Sequence, residues 1–182
     1  MTNIIETIAS YFKPQLDDEP KQPLHVGEVM SLWTFYTALG EAIAFYGVFL
    51  NMTTDAKLID AIISAKDETE SAILTLKGFL ISEGIPLPDV SSEKPKSDQA
   101  LVPLGVRFTD KEIANFIAVK TAGYIAFIGM AMSQVVRGDV GVMFLGFMTT
   151  VLKYGTTLKS MMIEKGWLTT PPYFTPVGIP KE

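Results

Sequence analysis

Cysteine is absent and histidine occurs once, which excludes disulfides, thiolate nucleophiles and Cys-ligated zinc and leaves a single group for imidazole chemistry. Cationic charge is also scarce. Fifteen Lys and Arg against 20 Asp and Glu give a net charge of -5, the wrong sign for a protein that binds by neutralising phosphates, so no nucleic-acid partner is expected. No glycine pattern follows a strand, which removes the nucleotide-loop readings. Ser10, Ser31, Ser64 and Ser133 have no patterned base to activate them. No catalytic or cofactor-binding residue is assigned, and no cofactor is expected. What the 182 residues do hold is apolar mass: 48% are hydrophobic and 19% charged, enough to offset the ordering entropy of one domain of ordinary size.

Helical periodicity dominates. Val29, Leu32, Tyr36, Leu39, Ile43, Tyr46 and Leu50 alternate steps of three and four, the spacing of one apolar helix face, over residues 25–50. Thr54 and Asp55 are cap candidates for a second helix with the stripe Leu58, Ile62, Ala65, Thr69, Ala72, Leu76 and Phe79. Gly84 suits its left-handed stop, and Pro86 and Pro88 forbid continuation. So short a connection makes the two helices, each roughly 35 Å long, antiparallel. Thr109 and Glu112 have capping-box spacing before a third helix to Val136; Arg137, Gly138 and Asp139 form a turn; a fourth helix stops at Gly166.

The two hairpins, 25–84 and 109–166, repeat one another. Thr75, Leu76, Lys77, Ile81 and Gly84 recur in order as Thr157, Leu158, Lys159, Ile163 and Gly166, and Glu28 and Asp55 align with Glu112 and Asp139 after a two-residue shift. Between them, residues 85–108 hold four prolines and no periodicity. Extended at about 3.3 Å per residue, such a segment can travel the height of a bundle, so the third helix is expected to start at the end opposite to where the second stops. The fold class that follows is all-α: a ferritin-like four-helix bundle of two repeated hairpins joined by a long crossover. A simple up-down-up-down bundle with a long loop is the rival. A short amphipathic N-terminal helix carrying Ile4, Ile5, Ile8 and Phe12 is expected to dock on the main body, joined by a proline-punctuated linker to residue 24, and residues 167–182 form a tail.

Residues 1–12 lack the basic start, continuous apolar centre and cleavage site of a secretory signal, so retention inside the cell is the expectation. Two charge-free stretches, 121–136 and 140–152, are each shorter than the roughly 20 residues of a spanning helix. They are expected to lie between the other helices or in an oligomer interface, with no membrane partner. Gly123, Gly129, Gly141 and Gly146 fit close helix contact.

A dimetal carboxylate site, the first chemistry to test on this outline, needs a Glu from each of two helices and a Glu-x-x-His pair from each of the others. The second hairpin cannot supply it, because between Glu112 and Glu164 its one acidic residue is Asp139, in a turn. Glu41, Asp67 and Glu70 could at best hold one cation; salt bridges to Lys66 and Lys77, or a solvated face, are the expected use, and no metal ligand is assigned. His25 and Glu28, spaced i, i+3 at the start of a helix, are expected to be structural. Trp33, Phe35 and Tyr36, or Met130, Met132, Met143 and Met148, could line a pocket for a small hydrophobic ligand, but are expected to be core.

Three segments carry a family resemblance: Glu28-Val-Met-Ser-Leu-Trp33, Glu83-Gly-Ile-Pro-Leu-Pro-Asp-Val90, and Glu164-Lys-Gly-Trp167 followed by Pro171-Pro-Tyr173. Over residues 23–174 the chain resembles an uncharacterised family of ferritin-like helical proteins from spore-forming bacteria, some described as putative spore coat proteins related to spore coat protein F. The resemblance implies a non-enzymatic structural or assembly protein, with a homo-oligomer or other coat proteins as partners and the spore coat as its setting. It also implies Trp33 as a core anchor, Gly84 and Gly166 as helix stops, and the 167–173 tail as a strap over the bundle end. The alternative is a degenerate ferritin-like protein holding a single metal ion or a small hydrophobic ligand.

Overall fold

At the start of the first helix the side chain of His25 bends back to cap the backbone: its Nδ1 accepts from the Gly27 N–H at 3.0 Å, while Glu28 Oε2 accepts from the His25 N–H at 3.1 Å. This reciprocal capping box sets the start of α1, Val26–Leu50. Asp55 caps α2, Ala56–Ser82, by accepting from the Leu58 N–H at 3.1 Å. Thr109 and Glu112 form a second capping box for α3, Asp110–Gln134, and α4 is Gly138–Glu164. The computed structural model describes residues 21–174 together with Glu6, Thr7 and Ser10, and among them it contains helices and no strand. Of the expected N-terminal helix, Glu6, Thr7 and Ser10 are helical and exposed; the rest of that helix, most of its linker and the tail beyond residue 174 lie outside the described residues.

Hydrogen bonds between the helix ends fix the topology. The start of α1 touches the end of α3, where His25 Nε2 donates to the Gln134 carbonyl at 3.1 Å, and the C-cap of α2, Glu83, reaches Arg137 just before α4. At the other end Lys165, the C-cap of α4, meets Asp55 at the start of α2. Hence α1 and α4 run one way and α2 and α3 the other, with α3 beginning at the end opposite to where α2 stops. This is the up-down-down-up order of a bundle with one long crossover, and it excludes the up-down-up-down rival.

The crossover descends along α1. Two glycines of that helix make room for it: a Cβ on Gly40 would lie 2.6 Å from Val90 Cβ, and one on Gly47 3.3 Å from the Lys94 nitrogen. Glu41 accepts from the Ser91 hydroxyl, and Asn51 holds the Pro95 carbonyl and the Ser97 N–H at 2.9 Å each. Two 3-10 turns, Gln99–Leu101 and Leu104–Val106, then lead into α3.

The core falls into two clusters along the bundle. One holds Tyr46, Phe49, Leu58, Ile62, Ile113 and Leu158; the other Leu32, Phe35, Leu76, Leu80, Ile128 and Phe144. The repeat is visible in three dimensions: Leu76 and Leu158 are both buried, Ile81 and Ile163 both exposed, and Gly84 and Gly166 adopt φ of 71° and 67°, left-handed conformations that end their helices.

Candidate functional site

The side chains with metal-binding chemistry are not brought together. Glu41 faces the crossover and takes Ser91, Glu70 lies 3.7 Å from Lys66, and Asp67 is exposed; among the described residues no three carboxylate or imidazole groups converge. His25 and Glu28 are spent on helix capping.

The densest polar chemistry is at the end where α1 and α4 begin. Glu28 is 2% exposed, and its Oε1 accepts from the N–H groups of Val136 and Arg137 at 2.9 and 2.7 Å, so one carboxylate ties α1 to the α3–α4 turn. Arg137 forks onto two carboxylates: Nη1 and Nη2 reach Glu83 at 2.8 and 2.7 Å, and Nε and Nη2 reach Asp139 at 3.0 and 2.7 Å. Lys21 adds a 3.0 Å contact to Asp139. Hydrogen bonding from Arg137 is the chief cause that holds Asp139 down at about 2 and Glu83 below its ordinary value, against the opposing effect of burial. No buried side-chain nitrogen or oxygen of this cluster lacks a partner, which marks it as a brace.

The second feature is a cavity of about 50 Å³ in the middle of the bundle. Three tyrosines, Tyr46, Tyr124 and Tyr154, and three threonines, Thr69, Thr121 and Thr150, line it. Phe35 and Phe147 complete its aromatic wall. Burial pushes the hydroxyls of Tyr124 and Tyr154 well above the ordinary tyrosine value, with neighbouring Tyr46 adding to it, and burial raises Tyr46 against a hydrogen bond with Thr69. The cavity opens into the seam between α2 and α4, where grooves of about 370 and 310 Å³ continue in the two directions; Glu68 and Thr150 line all three spaces.

The third is the outer face of α3. Val119 and Met130 are 73% and 51% exposed, and Phe116, Ala122, Gly123, Ala126 and Gly129 are exposed between and beside them. By length and composition the segment Leu104–Gln134 could cross a membrane: its most apolar 18-residue window has mean hydropathy 1.5, and only 22% of that window is buried inside the protein.

These positions correct several expectations. The charge-free run 121–136 lies only partly between the other helices, the first of the two places expected for it, because α3 occupies a corner and turns one side outward. A Cβ on Gly123 or Gly146 would meet nothing within 4 Å, so neither mediates a close contact between this chain's own helices; Gly141 is buried. Trp33 is 38% exposed; Leu32 and Phe35 hold the core positions on that turn, so Trp33 is no core anchor. Met130 is exposed too, while Met132, Met143 and Met148 pack on the second cluster. The tail straps the bundle end only as far as Trp167, whose carbonyl accepts from Asn115, and Leu168; Tyr173 is 95% exposed.

Fold and site together define an all-α bundle of two hairpins, internally braced at one end, with no group of three acidic or imidazole side chains placed to hold a metal among the described residues. The chain belongs to the family described as protein of unknown function (DUF3231), whose profile matches residues 16–177. It is 29% identical over 151 residues to the uncharacterized protein YvdQ of Bacillus subtilis (strain 168), covering 83% of this chain and 89% of that protein. Among solved structures it is similar to a putative spore coat protein from Bacillus halodurans C-125, with a TM-score of 0.83 and 31% identity over 85% of this chain and 98% of that one. A hypothetical protein from Methanococcus jannaschii DSM 2661 shares the fold at a TM-score of 0.69 and 17% identity, covering 87% of this chain and 93% of that one.

Proposed function

We propose that the chain is a non-enzymatic structural protein of the spore coat, a ferritin-like bundle that assembles with further copies of itself through the outer face of α3. The observation that carries this is the exposure of Val119, Met130 and Phe116 on a helix with no charged residue from 121 to 134. An apolar face of that kind is the usual mark of an association surface. The small residues between the large ones, Ala122, Gly123 and Ala126, allow a second helix to approach closely, and the same helix from another copy supplies a self-complementary partner. The name given to the Bacillus halodurans structure supports the coat as the setting.

Sedimentation of the full chain tests it. The wild type is expected to associate with rising concentration, and a Val119→Glu, Met130→Glu variant to remain monomeric with unchanged helicity. In a spore-forming host a fluorescent fusion is expected at the spore surface. A wild type that stays monomeric at high concentration removes the proposal, as does a wild type that floats with liposomes while the variant does not, since lipid would then be what covers α3.

A further inference from the structure

The aromatic cavity has no part in that assembly, and its lining is selective. Among the described residues Glu68 is the one charged side chain on its wall, and it makes no ion pair with any of them. It stands at the mouth, exposed, where the cavity meets the α2–α4 grooves. Inside, three hydroxyls have already given away their protons: Tyr124 donates to the Ala38 carbonyl at 2.8 Å, Tyr154 to the Ala61 carbonyl at 3.2 Å, and Thr121 to the Ile117 carbonyl at 2.8 Å. Their oxygens therefore meet the cavity as hydrogen-bond acceptors.

A cavity walled by aromatic rings and acceptor oxygens, with a carboxylate at its mouth, favours a cation that carries donors and disfavours an anion or a ligand with acceptors alone. A cation already lies against this wall: Lys120 Nζ sits 5.5 Å from the centre of the Tyr124 ring, where burial lowers its pKa and nearby Glu41 opposes that effect. We infer that this cavity is a binding site for the ammonium group of a free aliphatic amine, whose –NH3+ enters beneath Glu68 among the tyrosines while its alkyl chain lies along the α2–α4 groove lined by Ala72, Val142, Met143 and Phe147. The size is suitable, since about 50 Å³ accommodates a primary ammonium head and the groove of about 310 Å³ accommodates a short chain, whereas the groove of about 370 Å³ carries Lys57 and Lys153, which repel a cation.

Calorimetric titration of the full chain with n-butylammonium chloride tests this, with n-butanol as the neutral isostere and sodium chloride at equal ionic strength as controls. Saturable one-to-one binding of the amine is expected, and neither control should reproduce it. Glu68→Gln, at an exposed position that leaves folding intact, is expected to weaken binding by roughly tenfold or more through loss of a charge-assisted contact. Thr150→Leu, which plugs the mouth, is expected to abolish it. Absence of saturable binding, equal binding of butanol, or unchanged affinity in Glu68→Gln would each overturn the inference.

Discussion

Glu83 and Lys165 occupy equivalent places in the two hairpins and carry opposite charge. Each is the C-cap of its hairpin's second helix, followed by a glycine in the left-handed conformation, and each lies at the start of the other hairpin's second helix, beside Asp139 and Asp55 respectively. Lys165 pairs with its aspartate directly. Glu83 faces an aspartate of like charge, and Arg137, 8% exposed, bridges the two.

Arg137→Met should therefore cost about 3–5 kcal/mol at pH 7, because it leaves two carboxylates facing each other at a partly buried site. The loss should shrink as the pH is lowered toward about 3 and the carboxylates take up protons. Urea unfolding of both proteins across that range measures it; a loss independent of pH would mean that packing of the arginine stem, and not its charge, is what matters.

In the wild type the sign runs the other way. Asp139, near 2 in the fold, and Glu83, also lowered, lie below their unfolded values of about 4, so their stabilisation is full above that pH and is lost as pH falls from about 4 to 2. For Asp139 the contribution is roughly 1–3 kcal/mol. Asp139→Asn should lower stability at pH 7 by that amount and flatten the acid limb of the stability curve.

Glu28 and Glu112 stand three residues into repeated helices, yet one is buried and the other exposed. Glu28→Ala strands the N–H groups of Val136 and Arg137 and should cost roughly 2–4 kcal/mol. Glu112→Ala removes only a solvated capping contact and should cost clearly less. Thermal unfolding of the pair gives the comparison; equal losses would contradict the bridging role of Glu28.

Gly40→Ala drives a methyl group into Val90 and should destabilise by about 1–3 kcal/mol. Val90→Gly, which removes the Cβ that the new methyl group meets, should recover part of that loss in the double variant, and a purely additive cycle would show that the crossover does not press on Gly40.

Much of this architecture was legible from residue order. The stripe Leu32, Tyr36, Leu39 and Tyr46 is buried as its spacing predicts, Asp55 and Thr109 cap as their types predict, and the long proline-bearing segment spans the bundle. Such features depend on neighbours within a few residues. Arg137 read as a turn residue because its partner Glu83 is 54 positions away. Glu28 read only as a structural residue at a helix start because nothing local shows that the α3–α4 turn descends onto it. The exposure of Met130 was hidden for a related reason: a charge-free helix looks alike whether another helix of the same chain or a second molecule covers it. Tyr46, Tyr124 and Tyr154 could not be grouped either, since their meeting is set by the register of three helices.

The charge reversal between Glu83 and Lys165 also governs which halves can marry. Two copies of the first hairpin, joined as a symmetric pair, would set Glu83 against Asp55 at both ends with no arginine to mediate, whereas a first hairpin from one molecule and a second from another would fit as well as the halves of a single chain. Hairpin exchange between molecules is thus favoured as a reciprocal swap over a pairing of two first hairpins, and a fragment containing the first hairpin alone would be a poor mate for itself.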